Sequence, residues 1–352
     1  MSIVTGQPIN ASDFVGDSAG SADSGKGVRM DARGKLSGSL MGGFGDGSDG
    51  DVTISVPTTL TRDMYYRNLV VSSTLTTDGF RIYVSEQISG AGIIDWGVPN
   101  PGGAGTTSGG IGSGGGPGAV QSGSGVFKNR GGTRGGHNNS VSGGTGSGDS
   151  GVAAGSYTGL GSAGSQGGTG GSGGGANVAG SPGSVGTLTA PAESWKHIRS
   201  LVMLVMAQRL SDGTLTSLTI PHTEATGGAN GGDNSASGTT GGAGGGAASG
   251  GIVWIAARIW AGTFTIKSIG GVGGAAGGIT GSGNLGGNGG GAGGNGGLAI
   301  VIYGVKTWTG AYTLTGGLGG AASPGSGTGA PGVAGTAGVT GSSYEFNISY
   351  LS

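Results

Sequence analysis

Residues 277–297 read GGITGSGNLGGNGGGAGGNGG, a run made mostly of glycine. Glycine loses more backbone freedom on folding than any other residue. Yet the run is flanked by two of the most apolar stretches of the chain, GIVWIAARIWAGTFTIKSI (251–269) and LAIVIYGVKTW (298–308). Such a chain has two options. Its glycine is a flexible spacer, or it is a packing material that lets backbones approach and bond to one another.

The spacing of the glycines favours the second option. Gly329, Gly332, Gly335, Gly338 and Gly341 recur every third residue, as do Gly287, Gly290, Gly293 and Gly296. The same step runs from Gly161 and from Gly180. A period of three matches the left-handed polyproline II helix. Collagen shares the period but needs sustained triplets and far more than the 10 prolines present here. The spacing therefore predicts glycine-rich polyproline II (polyglycine II) segments packed side by side, their N–H and C=O groups bonded between segments.

Charge argues against disorder. Only 9% of residues are charged and the net charge is −1, whereas disordered chains carry high net charge and few apolar groups. The same balance excludes a nucleic-acid binder, which needs a basic face. There is no cysteine, which removes disulfides and thiolate metal sites. The opening MSIVTGQPIN has no basic region followed by an apolar core, so no secretory leader is expected. No apolar run is long enough for a membrane helix, and no membrane insertion is expected.

Five regions follow. Residues 1–43 are mixed and weakly patterned and read as an extended arm. Residues 44–98 are rich in Val, Ile, Thr and Tyr and are broken at Asp78-Gly79 and Gly90-Ala91-Gly92. This pattern predicts a β-rich module with strands near 52–56, 66–71, 80–84 and 87–94, spaced as rungs of a small β-solenoid or sandwich. Residues 99–187 are glycine-rich. Residues 188–225 contain APAESWKHIRSLVMLVMAQRLSDG (190–213), where Trp195, Ile198, Leu201, Val202, Val205 and Leu210 fall near helical spacing and predict one central helix. TLTSLTI (214–220) reads as a strand. In 226–352, a strand pair followed by glycine occurs twice with a period of roughly 45–50 residues, and SSYEFNISYLS closes the chain as a strand. The fold class is mainly β.

GSADSGKGVRMDARGKLSGSLM (20–41) resembles the connector near the N-terminus of many phage tail-fibre-like proteins, with Asp31 to Leu36 as its D-x-x-G-K-L segment. GFGDGSDGDVTISVPTTLTRDMYYRNLVV with TLTTDGFRIYV, within 43–84, is similar to a β-rich module of glycine-rich phage structural proteins. The downstream glycine tracts resemble the polyglycine II tips of some phage adhesins. The resemblance implies a virion part, assembled in the host cytoplasm: a tail fibre, tail tip or receptor-binding protein, or alternatively a head-decoration protein. A secreted glycine-rich binding or coat protein is the reading from another class. The implied partners are other virion proteins through the arm at 1–43, a bacterial surface receptor, and further copies of the chain. A homotrimer, or another cyclic oligomer, is expected with 194–210 at or near its axis, because Trp254, Ile255, Trp260 and Trp308 read as exposed in a single copy.

No motif supplies catalytic, cofactor-binding or metal-ligating residues, and the chain reads as a non-enzyme. GSADSGKG (20–27) nearly matches a phosphate-binding loop, but Gly27 replaces the hydroxyl that holds Mg²⁺. GDGSDGD (45–51) resembles a calcium loop, but counted from Asp46 positions three and five are Ser48 and Gly50 and position twelve is Pro57 in place of glutamate, so it reads as Asp-Gly turns; an irregular Ca²⁺ site through Asp46, Asp49 and Asp51 is the alternative. His137, His197 and His222 have no ligand spacing. Lys128, Arg130, Arg134 and His137 gather on one glycine-rich loop suited to phosphate or an acidic sugar, with a solvated loop as the plainer role. A glycosidase needs two carboxylates, and Asp95 beside Trp96 has no evident second.

Overall fold

The computed structural model describes residues 29–30, 36–37, 44–108, 111–119, 127–129, 131–136, 157–158, 166–170, 188–189, 218–219, 238–281 and 283–347. It is mainly β, with almost no helix among these residues. The predicted helix at 190–213 and the arm at 1–43 lie outside them, save for the short strands Arg29–Met30 and Leu36–Ser37, which pair antiparallel.

The chain folds by repeating one move. A strand in one sheet is followed, after a short corner, by a shorter strand in a second sheet. Five such pairs occur: β1 (Asp51–Ile54) with β2 (Thr58–Thr59), β3 (Met64–Val71) with β4 (Thr74–Thr76), β5 (Ile82–Gly90) with β6 (Ile93–Asp95), β7 (Ile252–Trp260) with β8 (Thr265–Lys267), and β9 (Leu298–Lys306) with β10 (Tyr312–Thr313). β11 (Ser342–Asn347) adds a sixth strand to the first sheet. The six-stranded sheet runs β11-β9-β7-β5-β3-β1 and the five-stranded sheet β10-β8-β6-β4-β2, and every pairing is parallel. β5 pairs β7 directly, so residues 44–98 and the C-terminal strand pairs share both sheets.

Parallel sheets are covered on both faces and their strands read as near-continuous apolar runs, which is the character of IVWIAARIW and LAIVIYGVK. Between the sheets lie Leu69, Ile88, Ile94, Val253, Ile255, Trp260, Ile266 and Val301, all fully buried, with Trp308 at their rim. The outer face of the six-stranded sheet carries a second core of Tyr83, Phe127, Trp254, Ile300 and Ile302. Trp254, Ile255 and Trp260 are 0% exposed and Trp308 8%. The expectation that these four are exposed in a single copy is therefore overturned: both faces of β7 and β9 are covered within the chain. The strand expected at 80–84 and the first part of that expected at 87–94 are one strand, β5, whose register shifts at Ser85 and Glu86 against β3, while residues 93–94 begin β6 in the other sheet. Asp78 (φ 47°) and Gly79 (φ 82°) form the break expected before it.

The stack ends deliberately. On β11 the residue opposite Val301 is Glu345, whose carboxylate accepts from Lys306 Nζ (2.6 Å) and from the Tyr312 hydroxyl (2.7 Å) on the other sheet. A charge set between the sheets at an open edge blocks further strand addition.

Glycine forms the returns between strand pairs. Residues 268–278 run out from β8 and 284–297 run back to β9; residues 314–323 run out from β10 and 329–341 run back to β11. These segments bond to one another at every third residue. The N–H groups of Gly287, Gly290, Gly293 and Gly296 donate to Ala330, Val333, Thr336 and Val339. Those of Gly291, Gly294 and Gly297 donate to Gly274, Gly271 and Ser268, on the outgoing segment. The carbonyls of Gly289, Ala292 and Asn295 accept from Gly244, Ala247 and Gly250. Successive positions thus address three different neighbours, whereas a β-strand addresses two. The triplet glycines of 287–296 and 329–341 are donors of this lattice; the series that start at Gly161 and Gly180 lie, apart from 166–170, outside the described residues. A Cβ on Gly290, Gly293 or Gly296 would sit 1.8–2.1 Å from a neighbouring carbonyl oxygen, so the close approach itself excludes side chains. Where a larger residue enters the interior, its side chain joins the ladder: buried Asn288 Nδ2 donates to Gly277 O, continuing the 291–274 register.

Candidate functional site

The outgoing and returning segments form two layers, with Gly102 and Gly105 of residues 97–105 bonded beside Val272 and Ala275 in the outgoing layer. Constant registers bring their reversals to one end, away from the sheets. There the hairpin of Thr106–Ser108 with Ile111–Ser113, the pairing of Gly238–Thr240 with Ile279–Gly281 and the turn 324–328 lie at the limit of the glycine lattice. Neighbouring reversals are tied together. Leu285 and Ser326 exchange both backbone bonds, and Thr328 N donates to Asn284 Oδ1 (2.9 Å). Gly327, at φ 60°, makes the last reversal possible. Among the described side chains here, Thr106, Ser113, Thr280, Asn284, Pro324 and Thr328 are exposed. They offer hydroxyls and an amide and no charge, on turns held by a bonded scaffold.

The acidic residues singled out from the sequence have other tasks. Asp46 Oδ1 accepts from Ser48 N (3.1 Å) in a local turn, and Gly45, Gly47 and Gly50 all have positive φ. Asp49 accepts from Arg62 (2.5 Å) and from Tyr65 N (2.6 Å). The Arg62 hydrogen bonds hold its carboxyl below the usual range, against the opposing effect of burial. Asp51 accepts from Arg67 and Asn68, and the Arg67 hydrogen bonds lower its carboxyl in the same way. Asp63 binds Arg81 through both Nε and the backbone N–H. These three Asp–Arg pairs tie one turn of the stack to the next. Among the described residues no group of three His, Asp or Glu side chains is arranged to hold a metal.

Asp95, the single carboxylate weighed for catalysis, is 7% exposed. Its Oδ2 accepts from Lys267 Nζ (2.9 Å) on the neighbouring strand and its Oδ1 from Gly97 N. Trp96 beside it is a core residue whose Nε1 donates to Phe127 O. Both belong to the transition from sheet to glycine lattice. Of the basic loop, Arg134 is exposed on 131–136, which bonds to 114–118 and 241–250; Arg130 and His137, together with His197, His222 and residues 20–27, lie outside the described residues. No described helix is long and apolar enough to cross a membrane.

Sequence reasoning missed the far-end turns. Their residues are ordinary turn formers, and only the three-residue register shows that turns from three excursions meet. No family model, curated protein or solved structure matches the chain.

Proposed function

We propose that the chain is a non-enzymatic structural component of a bacteriophage particle, a tail fibre, tail tip or other receptor-binding element, which attaches the particle to the host surface. The sheets form a β-solenoid base. The arm at 1–43 docks on other virion proteins, and the glycine segments are polyglycine II rods that carry the neutral turns at their end. The observation that carries this reading is the bonded lattice itself: it spends its sequence on rigidity and presents its reversals together. Hydroxyls and amides on a rigid end suit a neutral polar ligand such as a cell-surface sugar, because little ordering entropy is lost on binding. The carboxylates of Asp49, Asp51, Asp63, Asp95 and Glu345 are each engaged by an arginine or lysine, which supports binding over catalysis.

The test is location followed by competition. Electron microscopy of particles carrying a tag on the chain is expected to place it at the distal end of the tail. Purified chain is expected to compete with particles for host adsorption, and Thr280→Arg to abolish the competition while leaving the fold unchanged. A chain found only on the head would establish decoration and overturn the attachment reading. A chain missing from purified particles would overturn the virion reading altogether.

A further inference from the structure

The returning layer is covered by further glycine segments: 114–118 and 131–136 bond to 241–250, and Gly168 bonds to Gly290. Among the described residues nothing covers the outgoing layer. Along each of its three segments every third residue faces out. Val98, Pro101 and Ala104 do so on the first; Val272 and Ala275, with half-buried Ile269, on the second; Thr315, Leu318 and Ala321 on the third. The bonds from Gly102 to Val272, Gly105 to Ala275, Gly270 to Thr315, Gly273 to Leu318 and Ala276 to Ala321 align them into rows. The rows are Val98–Ile269–Thr315, Pro101–Val272–Leu318 and Ala104–Ala275–Ala321. Val98 is 76%, Val272 50% and Leu318 70% exposed. The face continues onto β4, β6 and β8 through Thr74, Ile93 and Thr265, paired in register. The ion pair it carries among the described residues, Asp95–Lys267, is neutralised within the copy.

We propose that this face is the contact surface for a second copy of the chain, paired about a two-fold axis. Three properties on the face select that occupant. It carries no net charge, so a copy of itself meets it without an unpaired ion. Its length is about 35 Å at roughly 3.1–3.3 Å per residue, and it is three to five segments wide. That gives roughly 600 Å² per copy, which reaches the lower bound of a specific interface when two copies combine. An apolar patch of this size is at the upper limit for a lone soluble chain. Finally, the rows lie in register across the layer, so a two-fold axis through Val272 lays each row against a row of the second copy.

Sedimentation of the full chain at micromolar concentration tests this. The wild type is expected to be a dimer. Leu318→Glu and Val272→Lys are each expected to weaken it at least about 100-fold, since a buried charge without a partner costs that much. Val333→Lys, on the exposed outer segment of the returning layer, is the control and keeps the dimer. Unchanged circular dichroism and melting show that the outward-facing substitutions leave the fold intact. Because the chain has no cysteine, Val272→Cys places a single thiol at the middle of the face, where two-fold pairing brings it to its own copy; mild oxidation is expected to give a covalent dimer, and Val333→Cys none. A monomeric wild type would overturn self-pairing and leave the face to a different protein. A dimer that survives both charge substitutions would place the contact elsewhere and overturn the proposal equally.

Discussion

Gly291→Ala tests whether glycine builds this protein or merely fills it. Gly291 is buried in the returning segment, bonded through its N–H to Gly274 O (2.9 Å) and through its carbonyl to Gly320 N (2.8 Å). A Cβ added there would lie 1.9 Å from Gly245 O and 2.4 Å from Gly245 C. That oxygen is about 1.5 Å closer than ordinary van der Waals contact allows, and it is backbone, so no side chain can swing away. Two segments must part. Overpacking of this kind costs about 1–3 kcal/mol, and stretching the two bonds adds about 1 kcal/mol each. Alanine returns about 0.4–1 kcal/mol by restricting the unfolded chain. The net loss is about 3 kcal/mol, or a melting temperature lower by about 6–12 °C for a body of this size. Gly116 supplies the contrast: it lies in the same lattice, bonded to Gly103, but a Cβ there meets nothing within 4 Å. Gly116→Ala is expected to raise the melting temperature by about 1–3 °C. Calorimetry of the two variants decides the matter. Equal, small effects at both positions would mean that the segments are not packed, and the lattice would be refuted.

Asp63→Asn leaves Arg81, whose side chain is 11% exposed, without its carboxylate; a loss of about 2–4 kcal/mol is expected in urea unfolding, and a loss below 0.5 kcal/mol would show that the pair is ornamental. Asp49 and Asp51 have carboxyls held below their usual value by arginine hydrogen bonds, so the stability they add is present above their unfolded values near pH 4 and is lost as pH falls further. A melting temperature flat from pH 7 to 5 and falling below 4 is expected, and Arg67→Gln should lessen the fall; an unchanged profile in that variant would contradict the assignment. Burial pushes Tyr66 up to about 12, so its stabilising contribution holds below pH 10 and is lost as pH rises toward 12, which ultraviolet titration against an unfolded control will register. Glu345→Val removes the charge between the sheets at the open edge and is expected to produce concentration-dependent end-to-end association by light scattering; unchanged scattering would show that the edge is blocked by something other than Glu345.

Much of the architecture is written locally. The alternation of apolar strand pairs with glycine, spaced roughly 45–50 residues apart in the sequence, reappears as Ile252 opposite Leu298 and Leu298 opposite Ser342. The three-residue glycine period reappears as the donors at Gly287 through Gly296 and Gly329 through Gly341. Both were legible because each residue's constraint is its own: glycine alone fits where another backbone lies under 3 Å from its missing Cβ, and β-branched residues suit a pleated surface. Burial was not legible. Trp254 and Trp260 look like exposed anchors in sequence, and only the meeting of β5 with β7 across more than a hundred residues, together with cover on both faces, hides them. The far-end turns and the outgoing face are of the same kind. Thr280, Asn284 and Thr328, or Val98, Val272 and Leu318, carry no shared motif, since what unites them is register between distant segments. Periodicity is a property of the chain, but which periodic faces are covered is decided by the order in which segments stack, and that order exists only in the tertiary structure.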